Sequence, residues 1–557
     1  MKLHVGLSLA ALGLFPVLSA TGQEAGPRYA DRWVYVSRNF NRPETVGEIR
    51  EIAATAHAHG LNGMLLAGGL EGVGRWDDTR LARLAEVKAI CQEQQIEIIP
   101  IIWSVGYGSG LGHDRNLAAG LACANVPFQV QGAEARFVPD PGVGFKNGGF
   151  EESADNRMGG FNFHDRPGEV SFADPEVFHD GAVSLRFENF EDFPHGHGRV
   201  MQELAVQPHR QYRISCWAKT ENLTPAGAFR VQVYGPKHAI APVSVQIPPT
   251  GDWQEISLVF NSGEHSQVKV YAGVWGGKTG KFWLDGFRLE EMALVNVLRR
   301  PGTPVAVTNA DGTVVYEEGK DYAPIADDQF NLRRPRPDCP PLKLTPDSRI
   351  RDGETLLVSY YHGMAINNGQ VSVCMSEPAL YEYWEQSAAA IQQHLAPEKW
   401  FLSMDEIRAG GSCAACKARG VTTGEILGDC ITRQTQIIRA VRPDAKVYIW
   451  SDMLDPNHNA HGDYYLVDGD FTGSWNHIPK DLVIACWYFT KREESMRFFA
   501  EQGFATLAGA YYDGDDLDNI KGWLDTVNRT PNCRGIMYTS WQNKYQLLPA
   551  FGDLLRQ

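Results

Sequence analysis

Positive charge is in short supply: 52 lysines and arginines stand against 67 aspartates and glutamates, a formal net charge of −15. A chain so balanced offers no electrostatic footprint for nucleic acid or for an anionic membrane surface. Beyond the N-terminal stretch no apolar run reaches membrane-spanning length, which excludes a helical span there. Between residues 141 and 291 there is no convincing helical periodicity, so the chain is not one uniform α/β unit.

What is present is ample core material. The 557 residues are 43% apolar and 21% charged, a globular composition long enough for more than one domain. Most of the 14 Trp, 20 Tyr and 25 Phe are expected in the core, but such richness is also common where sugars are bound by stacking on rings. The opening "MKLHVGLSLAALGLFPVLSATGQEAG" has Lys2, an apolar run from Val5 to Leu18 and small residues from Ala20 to Gly22. It reads as a secretory signal peptide over 1–22, which makes the mature protein soluble and secreted or periplasmic. Ten cysteines in an exported chain invite disulfides. The tightest group is Cys413, Cys416 and Cys430. A local disulfide is the first expectation and free buried thiols the second. Zinc comes last, because no fourth ligand is spaced convincingly.

From Arg32, strands and helices alternate: "WVYVSRNF", a helix from Pro43 to Gly60, "LNGMLLAGG", a helix in "DDTRLARLAEVKAICQEQQ", then "IEIIPIIWS". From Pro141 to Glu291 short alternating runs such as "QYRISCWAKT", "WQEISLVFN" and "QVKVYAGVW" are spaced by turn residues, the pattern of an antiparallel sandwich. A proline- and charge-rich connector with a few strands follows at 292–352, and alternation resumes from 353. Strands near 33, 61, 96, 400, 446, 482, 504 and 534 make eight. The expected fold is α/β, a (β/α)8 TIM barrel with an inserted antiparallel β-sandwich of jelly-roll type. Its parts are barrel at 28–140, sandwich at 141–291, connector at 292–352 and barrel again at 353–557.

Such barrels carry their chemistry at the C-terminal ends of the strands. There stand Arg38, the adjacent acids Asp405 and Glu406, Trp450 with Ser451 and Asp452, Trp487 with Tyr488, then Tyr511, Tyr512 and Asp513, and finally Trp541 with Gln542 and Asn543. Neighbouring side chains of a regular strand point to opposite faces, so Asp405 and Glu406 can share a substrate only if the strand ends there. Any one tryptophan is as readily barrel packing as a sugar platform. Three of them with acids and a cation at one rim describe a sugar pocket.

Taken in barrel order, these motifs resemble glycoside hydrolase family 20, the β-N-acetylhexosaminidases. "VSRNF" resembles the first-strand motif, which places a hydroxyl-binding arginine on Arg38, and the family's Asp-Glu pair falls on Asp405 and Glu406. "VYIWSDM" is similar to the fifth-strand tryptophan motif through Trp450, and Trp487 fits the sixth-strand aromatic. "YYD" resembles the Tyr-x-Asp that contacts the acetamido group, through Tyr511 and Asp513, and Trp541 resembles the last wall tryptophan. The resemblance implies a retaining exo-glycosidase that uses the substrate's acetamido group as nucleophile, with Glu406 as acid/base and Asp405 and Tyr511 managing the acetamide. Four positions depart from it. Tyr35 replaces an aspartate, "MLLAGG" and "IIPIIWSVGYG" lack the histidine motifs, and Asn543 replaces a glutamate on the substrate-binding side. The departures leave open a glycosidase for another glycan, or a glycan-binding protein without turnover. In either case the partner is a glycan or glycoconjugate.

Within the insertion, "NGGFEE", "HDGAVSLRFEN" and "FWLDGFRLEE" resemble carbohydrate-binding modules of the family 4/9 type. That resemblance implies a structural calcium around Glu151 and Asp285; no other cofactor and no catalytic metal is expected. His195 and His197 in "FPHGHG" read as a polar loop, Trp217, Trp253 and Trp283 as core, and Trp275 as exposed.

Overall fold

Eight parallel strands close into a barrel in chain order: β1 (Asp31–Ser37), β2 (Gly63–Ala67), β3 (Glu97–Ile102), β4 (Lys399–Leu402), β5 (Lys446–Trp450), β6 (Val483–Cys486), β7 (Ala505–Tyr511) and β8 (Cys533–Thr539). The computed structural model describes residues 29–556 apart from 113–116, 237, 368 and 463, so the signal peptide expected over 1–22 lies outside the described residues. Parallel strands are covered on both faces and therefore read as near-continuous apolar runs. Every second residue fills the barrel interior, among them Trp33, Tyr35, Leu65, Ile99, Phe401, Tyr448, Trp450 and Leu507. The alternate residues, such as Val34, Leu66, Leu402, Ile449 and Ile484, pack against the helices outside.

Helices Thr45–Ala58 and Asp78–Glu93 follow β1 and β2, Pro378–His394 precedes β4, and Thr423–Val441 follows it. Their starts are chemically marked. Asp77 accepts a hydrogen bond from the Arg80 amide, Pro378 opens its helix, and Thr422 and Glu425 form a reciprocal capping box. Helices Arg492–Glu501, Asp518–Val527 and Leu548–Leu554 follow β6, β7 and β8. Among the described residues, the β5–β6 connection has no α-helix, only single 3-10 turns at Asp452–Leu454 and Ser474–Asn476 and the short strand Leu466–Val467. The barrel thus departs from a full (β/α)8 by one helix.

The sandwich has two five-stranded antiparallel sheets around a single apolar core. One correction concerns its borders. Strands Leu121–Gln131 and Glu134–Phe137, assigned on sequence to the barrel's first part, join a separate six-stranded antiparallel sheet. Their partners there are Ala306–Asn309, Val315–Tyr316, Leu342–Lys343 and Thr355–His362. The 292–352 stretch is therefore more than a connector, since Val307, Tyr316, Tyr322 and Leu342 help form a core of their own. Sequence missed this sheet because its central pair, Leu121–Gln131 with Thr355–His362, joins segments more than two hundred residues apart. Trp283 is core, donating to Asp174 at 2.9 Å, but Trp217 and Trp253 are half-buried around the His179 ring. Trp275 is half-buried too, beside Tyr271 and under Arg199. No helix among the described residues is long and apolar enough to cross a membrane.

Candidate active site

The β4 ladder runs one residue past the strand, where the Ser403 amide donates to the Ile102 carbonyl at 2.8 Å. Then the pleat breaks. Glu406 takes a left-handed backbone conformation, φ 49°, which is uncommon outside glycine. The break ends the alternation, so Asp405 and Glu406 both line one cavity of ≈ 340 Å³ at the C-terminal mouth of the barrel. Trp450, Trp487, Trp541, Tyr35, Tyr107 and Tyr512 supply aromatic walls around them.

The loop after β3 is pressed against this bend. A Cβ on Gly106 would lie 2.2 Å from the Asp405 carbonyl oxygen and 2.8 Å from that of Glu406. The close approach delivers Tyr107, whose hydroxyl donates to Glu406 Oε2. Arg408 Nη2 reaches the same oxygen at 3.0 Å. Arg408 is buried, donates to Gln370 and lies over the Tyr465 ring, while Gln370 donates back to the Glu406 carbonyl at 2.8 Å. Glu406 is therefore fixed by its own backbone neighbours and by the β3 loop.

Asp405 accepts from the Ser403 hydroxyl at 2.9 Å. Burial pushes its carboxyl up to about 6, the Ser403 bond opposing and the Glu406 charge adding. A third acid, Asp452, sits wholly buried just past β5. It accepts from the Glu406 amide at 2.9 Å, from Asn459 at 3.0 Å and from the Trp487 indole at 3.4 Å. Burial first, and then the Asp405 charge, pushes Asp452 up to about 8. Acids whose titrations are pushed apart by environment are a mark of functional sites.

The remaining expected site residues divide. Tyr511 does not reach the cavity: it is buried and stacked on Tyr538, centroids 4.1 Å apart, and its neighbour Tyr512 takes the wall. The reason is local. Tyr511, Tyr512 and Asp513 have φ of 88°, 69° and 62°, so the chain leaves β7 through three left-handed residues and the expected alternation fails. Asp513 spends its carboxylate on Ser540 and on the Trp541 and Gln542 amides, at 2.7, 2.8 and 3.2 Å, tying the ends of β7 and β8 together. Arg38 and Asn543 hydrogen-bond each other and line a neighbouring open cavity, where Arg38 pairs with Glu48 at 2.6 Å. Sequence reasoning passed over Tyr107, Arg408 and Asp452 as site residues. Asp452 was visible at a strand end, whereas the other two are placed by loops.

Trp541 and Trp450 differ in kind. Trp541 is 42% exposed, its ring 4.9 Å from that of Tyr35, whereas Trp450 is 2% exposed and packs edge-on against Phe401 as the cavity floor. Trp450→Ala should cost ~3–5 kcal/mol of stability, as large-to-small core changes do. Trp541→Ala should leave the thermal melt nearly in place. A Trp541→Ala protein that melts like Trp450→Ala would make Trp541 core rather than wall.

In the sandwich, Glu151 and Asp285 both face the loop at 179–182. Glu151 accepts from the Ala182 amide at 3.0 Å, and Asp285 accepts from the His179 and Asp180 amides at 2.8 and 3.2 Å. Among the described residues no three His, Cys, Asp or Glu ligand atoms converge there. His195 and His197 stack on each other at 5.6 Å, likewise with no third ligand.

Residues 144–279 match the family model described as Carbohydrate binding domain. Over 28% of its length the chain is similar to the CBM22-1 xylan-binding domain from Paenibacillus barcinonensis Xyn10C, at 14% identity, covering 96% of that chain, TM-score 0.21. Across most of its length the chain is similar to the Flavobacterium johnsoniae chitobiase, at 8% identity over 95% of this chain and 48% of that one, TM-score 0.36. A rhamnosidase from Novosphingobium sp. PP1Y aligns at 12% identity over 92% and 55%, TM-score 0.32. No curated protein sequence matches the chain. The chain carries a carbohydrate-binding domain inserted in a parallel eight-stranded barrel.

Proposed function

We propose that this is an exported glycoside hydrolase that removes a terminal N-acetylhexosamine from glycans by a substrate-assisted, retaining mechanism. The observation that carries the reading is the break after β4, which turns two adjacent carboxylates into one aromatic-walled cavity. A sugar stacks on the Trp541 face. Tyr107 and Arg408 both hold Glu406 through Oε2, which leaves Oε1 for proton transfer. Glu406 gives its proton to the glycosidic oxygen as the bond to the anomeric carbon breaks. The acetamido carbonyl oxygen attacks that carbon from the other face, and Asp405 accepts the acetamido N–H, holding the group in line and stabilising the positive charge it gains. Water, deprotonated by Glu406, then opens the cyclic intermediate with overall retention. Asp452 acts as a positioning residue through the Glu406 amide and the Trp487 indole. The carbohydrate-binding domain keeps the enzyme on polymeric substrate.

The test is Asp405→Asn against substrates whose N-acyl group is progressively fluorinated. The wild-type enzyme should slow along the series because the acyl oxygen is the nucleophile, and the variant should lose that dependence. A trapped glycosyl-enzyme seen by mass spectrometry would replace the mechanism with a direct carboxylate nucleophile. A second reading is favoured by Arg38, which is engaged by Glu48 and Asn543 beside the cavity. In it the same acids act on a glycan other than an N-acetylhexosaminide.

A further inference from the structure

All ten cysteines are free thiols, so the expected local disulfide is not formed. Cys430 stands apart, buried in the Thr423–Val441 helix. Its place beside Cys413 and Cys416 is taken by Cys374, just ahead of the Pro378–His394 helix. The Cys374–Cys413, Cys374–Cys416 and Cys413–Cys416 sulfur distances are 3.3, 3.6 and 3.5 Å. That is a nearly equilateral triangle of buried sulfurs. A disulfide would bring two of them to ~2.05 Å and leave the third aside. The face of a tetrahedron with metal–sulfur bonds of ~2.3 Å has edges of ~3.8 Å, close to those seen. Among the described residues this is the one place where three ligating side chains converge.

The surroundings fit a cation held by thiolates. Arg300 is buried within electrostatic reach of Cys374 and Cys413, and its Nη2 has no hydrogen-bond partner. Its Nε is held by Glu377 at 2.7 Å and its Nη1 by the Ala118 carbonyl at 2.8 Å, which leaves Nη2 uncommitted. A guanidinium beside a thiol favours the thiolate, the form that binds metal. The Ser376 hydroxyl is buried and within hydrogen-bond reach of the Cys416 sulfur. It is an oxygen donor beside the three sulfurs.

We propose that Cys374, Cys413 and Cys416 hold a structural zinc ion, with the Ser376 hydroxyl or a water as fourth ligand. Each thiol gives its proton to solvent as its sulfur binds, and no oxidant is needed. The ion joins two segments, each tied in turn to the insertion. The 409–417 stretch continues directly from Arg408, which holds Glu406. Cys374 is tied to the Leu117 carbonyl at 2.8 Å, and the Ala415 amide meets the Gly302 carbonyl at 3.3 Å. Zinc would therefore fasten the far end of the acid-bearing loop to the sheet-forming insertion.

The experiment uses the full-length protein purified without added chelator. Elemental analysis should give one zinc per chain. After chelation, Co²⁺ should restore an intense near-ultraviolet thiolate-to-cobalt band. Cys374→Ser should lose both signals, and Cys533→Ser, at a half-buried thiol outside the triangle, should keep them. Two readouts on wild-type protein stand whether or not the variants fold. Chelation should lower the melting temperature, with recovery on Zn²⁺ and not on Mg²⁺. Alkylation under denaturing, non-reducing conditions should label all ten cysteines. A Cys413–Cys416 disulfide in that digest, or wild-type protein that takes up no metal from excess Zn²⁺, overturns the proposal.

Discussion

Glu406→Gln is expected to cut turnover of glycosides with poor leaving groups by ~10²–10⁴-fold, the usual contribution of a positioned general acid. The substitution keeps the shape and the oxygen that Tyr107 and Arg408 hold, and removes the transferable proton. Activated aryl glycosides depart with little protonation, so their glycosylation step should suffer much less. The signature is the divergence between the two substrate classes measured on one preparation. Equal losses on both would remove Glu406 from the acid role. The two acids pushed upward by burial, Asp405 and Asp452, would then be the candidates for it.

The second large effect is expected at a residue that carries no side chain. Gly106→Ala adds a methyl that meets the Asp405 and Glu406 carbonyl oxygens at 2.2 and 2.8 Å. Those are backbone atoms, which cannot swing aside, so either the β3 loop or the acid-bearing bend must move. Displacement of a reacting group by about 1 Å costs on the order of 10²-fold in rate, and overpacking costs ~1–3 kcal/mol in stability. Activity should fall by more than the population of folded protein does. Gly110→Ala in the same loop is the control, because a Cβ there meets nothing within 4 Å. If both variants keep wild-type activity, the β3 loop does not position the acids.

The eight barrel strands were legible because each is an apolar run bounded by turn residues, and parallel burial on two faces leaves that trace. Asp405 and Glu406 were legible as a pair at a strand end. The left-handed turn at Glu406 that makes the pair useful was not, because it depends on the β3 loop packed beneath it. Tyr511 and Tyr512 show the same limit. Motif spacing chose the first, and three consecutive left-handed residues present the second. Arg408 and Tyr107 meet Glu406 from two different loops, and Cys374 meets its partners from across a helix and a strand. None of these meetings follows from a local pattern. The six-stranded sheet is hidden for a related reason, since its strands look like loose ends until the chain closes over the intervening sandwich.

The most direct test of glycosidase action in this cavity is hydrolysis of chromogenic N-acetyl-β-glucosaminide and N-acetyl-β-galactosaminide, with the first-formed sugar anomer followed by proton NMR. The expected result is turnover of at least one, release of the β-anomer before mutarotation, and competitive inhibition by an acetamido-thiazoline. Release of the α-anomer would contradict retention. Absence of turnover on both, with the thiazoline failing to bind, would contradict an N-acetylhexosamine site in this barrel.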